Sequence, residues 1–174
     1  SILFCLQCIK AQTNDTPYSY PVIRGSAEWN KITVYDEFRR ISQIPEDIVK
    51  TLTTNALLES ILNYPLIGDV FVFETFQKGV DKLKENFTAF NSLIQRDDLN
   101  DILLRKYEEL SSKDITSMTQ YSKGENSAKM SFIEVIIVAY NTSRELEGHD
   151  DKKLITELLK VLNKKKANPS VYAL

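Results

Sequence analysis

Glu134 sits between Ile133 and Val135, with Met130, Ile137 and Val138 within one helical turn. Burial among those side chains would raise its pKa, as a general acid requires. Glycoside hydrolysis sets such an acid against a second carboxylate about 5–9 Å away. The enzymatic reading is therefore a small helical hydrolase of cell wall or other glycan, with Glu134 as general acid. The ordinary reading is that Glu134 marks the one solvent-facing line of an otherwise buried helix, because unpaired acids are rarely buried.

Other chemistry is sparse. His149 is the only histidine and stands between Gly148 and Asp150, in what should be an exposed turn. A nucleophilic triad needs a partner serine on a strained elbow, and no GxSxG occurs. Zinc needs more His or Cys ligands than the chain supplies in one place. Asp97-Asp98, Glu108-Glu109 and Asp150-Asp151 are adjacent acids, which point in different directions on a helix and ordinarily cap or solvate it. No phosphate-cradling GxxxxGK or GxGxxG is present. The expectation is no catalytic set beyond the Glu134 candidate, no cofactor and no metal.

Lys plus Arg total 22 against 24 Asp plus Glu, a formal net charge of -2, so no long-range field gathers polyanions and nucleic acid is not expected as a partner. The cationic run at Lys164, Lys165 and Lys166 follows a helical pattern, where cations complement the helix dipole. Residues 1–11 form an apolar run ending at Ala11, ahead of the polar Gln12-Thr-Asn-Asp-Thr16. They read as the back half of a signal peptide cut after Ala11 and are too short for a membrane span, which needs about 20 apolar residues. Cys5 and Cys8, the only cysteines, would leave with it. Asn14, Asn86 and Asn141 each open an Asn-x-Ser/Thr triplet, which matters only in a eukaryotic secreted protein.

The elements that must position these residues are helical. Residues 12–25, with Pro17 and Pro21, read as a linker. A single helical domain over 26–168 follows, and 169–174 form a tail. Tyr35, Phe38 and Ile41 recur on one face of a helix over 33–42, Pro45 opens another, and Thr53 or Thr54 caps a third carrying Leu57, Leu58, Ile61 and Leu62. Phe73, Phe76, Val80, Leu83, Phe87, Phe90 and Ile94 fall three or four apart throughout. They predict a long buried helix, or two nearly collinear ones broken between Asn86 and Thr88. Asp97-Asp98 then caps a helix whose stripe is Leu99, Ile102, Leu103, Tyr107 and Leu110. Lys123-Gly124-Glu125-Asn126 reads as a loop, Met130 to Tyr140 as a buried helix, and Leu154 to Leu162 as the stripe of a last one. The fold class is all-α, an array or irregular bundle of about seven helices, with HEAT-like stacking as an analogy.

Tyr20-Pro-Val-Ile-Arg-Gly-Ser-Ala-Glu-Trp29 together with Ile44-Pro-Glu-Asp47 and the helix ending Asn63-Tyr-Pro65 resembles the opening of a group of uncharacterised exported proteins from Bacteroides-like bacteria. The likeness continues through Gln77-Lys-Gly79 and Phe87 to Tyr107. It implies export and a helical fold, and carries no activity. Trp29, Tyr64 and the phenylalanine stripe have two readings, core packing or ligand stacking, and helical spacing favours packing. Helix-packing signals without a convergent catalytic set point to an exported, non-catalytic interaction or scaffold module. It would be periplasmic, cell-surface or secreted, with an unidentified protein partner and no membrane span in the mature chain.

Overall fold

Pro45 carries an extended backbone, ψ 138°, so the helix it introduces begins one residue later, with Glu46 and Asp47 in the first turn where acids complement the helix dipole. In this computed structural model residues 14–114 and 117–146 are described, together with Thr156 and Asn163, which are helical. Seven α-helices lie among them: α1 Tyr35–Ile41, α2 Glu46–Thr51, α3 Thr54–Leu62, α4 Phe76–Asn86, α5 Thr88–Ile94, α6 Leu99–Ser111 and α7 Gln120–Leu146. Short 3-10 turns span Trp29–Lys31 and Ile67–Val72. No strand occurs among the described residues, only an isolated parallel bridge between Asn14 and Leu52. The all-α expectation holds. Residues 1–11 with Cys5 and Cys8, the turn expected at His149, the Asp150-Asp151 pair, the leucines of the helix expected over Leu154 to Leu162 and the three lysines at 164–166 lie outside the described residues, as does the Phe76 side chain.

The two threonines that offered a cap for α3 do different jobs. Thr53 is extended at ψ 159° and its Oγ1 accepts from the Ala56 amide at 3.2 Å, so it is the cap. Thr54 lies inside the helix, buried, and its Oγ1 donates to Asp98 Oδ1 at 2.6 Å. Asp98 holds the capping position of α6 but makes no side-chain cap bond there. Its carboxylate ties α6 to α3 instead.

Of the two forms predicted for the phenylalanine stripe, the chain takes the broken one. Phe87 is extended, φ -133° and ψ 96°, and separates α4 from α5. Val80, Leu83, Phe87, Phe90 and Ile94 are buried as expected. Phe73 is not: it remains 39% exposed. The reason is the cap. Thr75 Oγ1 accepts from the Lys78 amide at 3.3 Å and α4 starts at Phe76, so Phe73, extended at ψ 154°, stands outside the helix whose period had placed it on the stripe.

The predicted loop at Lys123-Gly-Glu-Asn126 is instead an early turn of the 27-residue α7. A helical glycine costs about 1 kcal/mol relative to alanine, and local bonds offset it. Thr119 Oγ1 accepts from the Ser122 amide at 3.1 Å, and Lys129 pairs with Glu125 at 2.8 Å. Asn126 is buried and its Nδ2 donates to the Leu110 carbonyl at 3.1 Å, satisfying an acceptor in the last turn of α6.

Short α5 is the hub, packing on α2, α3, α4 and α7, while α6 joins α3 to α7. Ala89, Phe90 and Leu93 are completely buried there. Phe87 stacks on Tyr64 with centroids 4.0 Å apart and planes 10° off parallel, and Phe90 meets Phe132 of α7 at 6.4 Å. Gly79 lets α4 close on the 3-10 turn at 67–72, since a Cβ there would sit 2.1 Å from the Val70 carbonyl oxygen. The lead at 14–20 is docked along α2 and α3. Asn14 exchanges backbone bonds with Thr51 and Thr53 at 2.7 and 3.0 Å, Tyr18 N donates to Ser60 Oγ at 2.8 Å, and the buried Tyr20 hydroxyl donates to the Ser60 carbonyl at 3.0 Å.

Candidate functional site

Glu134 projects from α7 and is half-buried. Its Oε1 accepts from the hydroxyl of Tyr107, a buried residue of α6, at 2.7 Å. The carboxylate lines a cavity of about 230 Å³ between α4 and α7, shared with Gln77, Lys84, Ser131 and the apolar Val80, Val135 and Val138. No second carboxyl group is among the described residues that line it. Two-carboxylate glycoside hydrolysis would need a second carboxyl group facing it, and none of the described lining residues supplies one. What the arrangement does instead is hold a carboxylate against a tyrosine hydroxyl that ties α6 to α7.

The other sequence candidates are dispersed. Trp29 packs on Phe38, tilted 36° with centroids 4.3 Å apart, and Tyr64 is buried with Phe87 stacked on it. Glu109 pairs with Lys106 at 3.0 Å, and the same ammonium reaches Glu59 of α3. Burial pulls the Lys106 pKa down, but the hydrogen bonds and charges of Glu59 and Glu109 outweigh it and leave the pKa raised. Asn86 is engaged by Arg39 at 2.6 Å and donates to the Lys82 carbonyl at 2.7 Å. Asn14 is exposed and its Oδ1 accepts from the Thr16 amide at 2.9 Å. No group of three metal-ligating side chains occurs among the described residues, and no described helix is long and apolar enough to cross a membrane.

A small polar cluster closes one side of the 67–72 turn. The Tyr35 hydroxyl donates to Asp69 Oδ2 at 2.7 Å, Arg24 reaches Asp69 Oδ1 at 3.4 Å, and the Arg39 guanidinium lies 5.4 Å over the Tyr35 ring. Partial burial and the bond to Asp69 push the Tyr35 hydroxyl up to about 12. A cavity of about 170 Å³ opens beside it, floored by Tyr64, Leu66 and Leu83. Its charges are already matched within the chain.

A larger concavity lies elsewhere. A groove of about 660 Å³ runs between the lead, the 62–71 turn and the first half of α7, walled by Tyr18, Ile23, Phe71, Tyr121 and Phe132 with Tyr64 at its base. That volume lies within the usual range of ligand and partner sites, about 300–1,000 Å³. Three of the large exposed apolar side chains, Ile23 at 67%, Phe71 at 47% and Tyr121 at 82%, gather on this one groove. Beside them Val72 is 76% exposed. Sequence reasoning passed over this site. The available signal was Val70-Phe-Val-Phe73, an apolar run between Asp69 and Glu74, too short for a helical period of its own. No protein-family model, no curated protein and no solved structure matches the chain, so the groove is described by its own geometry alone.

Proposed function

We propose that the chain is an exported, non-catalytic protein-interaction module whose contact face is the aromatic groove between the lead, the 62–71 turn and α7. The observation that carries this reading is the gathering of Ile23, Phe71 and Tyr121 around one groove, whereas Phe87, Phe90 and Phe132 are wholly buried in the core. Contiguous exposed apolar surface of this kind marks interaction sites. The hydrolase alternative, with Glu134 as general acid, is the reading set against it: Glu134 lines a cavity whose other described lining residues carry no carboxyl group. Export rests on the apolar run that ends at Ala11 and on the resemblance to exported proteins.

Crosslinking of the purified chain to envelope extract, parent beside an Ile23→Asp/Tyr121→Asp double variant of unchanged circular dichroism, tests the module. The reading expects a discrete adduct with the parent that the double variant loses, and no glycan hydrolysis by either protein. Cell-wall hydrolysis by the parent that Glu134→Gln abolishes would overturn it. Intact-mass measurement of secreted material tests export, with loss of residues 1–11 as the expected result; a product retaining Cys5 and Cys8 contradicts the cleavage.

A further inference from the structure

The groove adjoins an apolar knob. Phe71, Val72 and Phe73 are consecutive and 47, 76 and 39% exposed where the 3-10 turn gives way to extended chain. Phe71 is also a wall of the groove, so hollow and knob share an edge. Arg24, Glu125 and Lys129 line the groove, so its rim carries both signs of charge. Arg24 pairs with Asp69 across 3.4 Å beside the turn, and Lys129 pairs with Glu125 across 2.8 Å on α7.

These features restrict what can cover the face. A partner of one strong sign gains nothing from a mixed rim, and the chain's net charge of -2 gives it no long-range field. The matching partner is near neutral, carries both charges on its own rim, and offers an apolar knob of side-chain size. A second copy of this chain has all three. Because knob and hollow are adjacent, one two-fold axis seats both knobs in both hollows at once, the self-complementary arrangement of closed dimers. Ile23, Phe71, Val72 and Tyr121 at their exposures present on the order of 400 Å² of apolar surface. That is about half of the roughly 800 Å² per partner of a standard interface, with the charged rim and the groove walls to supply the remainder.

We propose that this face pairs two copies of the chain about a two-fold axis, each seating Val72, with Phe71 beside it, in the aromatic groove of the other. The proposal rests on the interaction-module reading and names its partner.

Sedimentation equilibrium of the full chain from about 1 to 100 μM tests it. The parent should pass from one to two chain masses over that range. Val72→Asp and Tyr121→Asp should each weaken pairing at least tenfold while keeping the parent's urea midpoint, measured at a concentration where the chain is single. A parent of single mass throughout overturns the pairing, as does a dimer that neither variant disturbs. Single mass with Val72→Asp lowering the urea midpoint overturns it too, by showing that the chain covers the face itself. If the parent is single yet still forms the adduct that Ile23→Asp/Tyr121→Asp loses, pairing falls and the module reading stands. If it is single and forms no adduct, both fall.

Discussion

Phe87 and Phe90 are wholly buried, whereas Phe71 and Phe73, a few turns upstream, are 47 and 39% exposed. The side chain is the same and the local spacing is similar; what differs is the backbone beneath. Phe87 and Phe90 lie at the start of α5, which four other helices surround. Phe71 and Phe73 lie at the end of a 3-10 turn, before the Thr75 cap has begun α4. Hydrophobic period predicts burial only where the helix that owns the period is continuous. Outside it, an apolar residue has no assigned face: Phe71 walls the groove, and Phe73 turns to the cavity beside Tyr35 and Arg39.

The largest expected effect falls on the buried side of this contrast. Phe87→Ala and Phe90→Ala should each lower stability by about 3–5 kcal/mol, the usual result of removing a buried aromatic and leaving a cavity. Urea melts measure it, and midpoints near the parent's would erase the distinction between the two regions. Gly79→Ala comes next. Its new Cβ would meet the Val70 carbonyl oxygen at 2.1 Å, a backbone atom that cannot swing aside, so α4 and the turn must move apart. A loss of about 1–3 kcal/mol is expected from overpacking. Because the same contact holds the knob in place, weakened pairing should accompany it, and a fully stable Gly79→Ala would mean that turn and α4 are not clamped.

Asn126→Ala should cost about 1–2 kcal/mol by leaving the Leu110 carbonyl without its side-chain donor. A thermal melt that does not shift would return this part of α7 to the status of the loop first expected. A smaller effect is alkaline. Burial, together with the neighbouring Tyr64 and Tyr18, raises the Tyr20 pKa above its ordinary value. A folded tyrosine with a raised pKa keeps its proton where the unfolded one has lost it. Its contribution is therefore complete below about pH 10 and fades as pH climbs beyond. The raised Lys106 acts in the same direction, because its stabilising charge is lost only as pH rises through the folded value. Melting temperature should fall steadily above about pH 10, and less steeply in Tyr20→Phe. An equal slope in that variant would assign the effect to other groups.

Most of the fold was legible because its signals are local. Thr53, Pro45 and Asp98 mark helix starts, and Leu99, Ile102, Leu103, Tyr107 and Leu110 form a stripe that is buried throughout. The errors lie where tertiary bonds decide. Gly124 reads as a breaker, yet the Asn126 bond to α6 and the Glu125 pair to Lys129 carry the helix across it. Thr54 and Asp98 each resemble caps, and their bond to each other across α3 and α6 has no trace in either neighbourhood. The groove was illegible for a related reason. Tyr18, Ile23, Phe71 and Tyr121 come from three distant segments, and no spacing rule links a lead, a turn and a helix. Glu134 was found by its apolar neighbours, but only the fold could reveal that its bond is to Tyr107.

The account turns on the claim that the exposed apolar side chains at the groove, Ile23, Phe71, Val72 and Tyr121, are surface and that the phenylalanines of α5 are core. Urea midpoints of Val72→Asp and Phe90→Ala beside the parent, at a concentration where the chain is single, test it most directly, since association would otherwise add to apparent stability. Val72→Asp should stay within about 0.5 kcal/mol of the parent, as exposed substitutions do. Phe90→Ala should lose about 3–5 kcal/mol. A Val72→Asp variant that loses as much as Phe90→Ala would place the knob in the core and contradict the account.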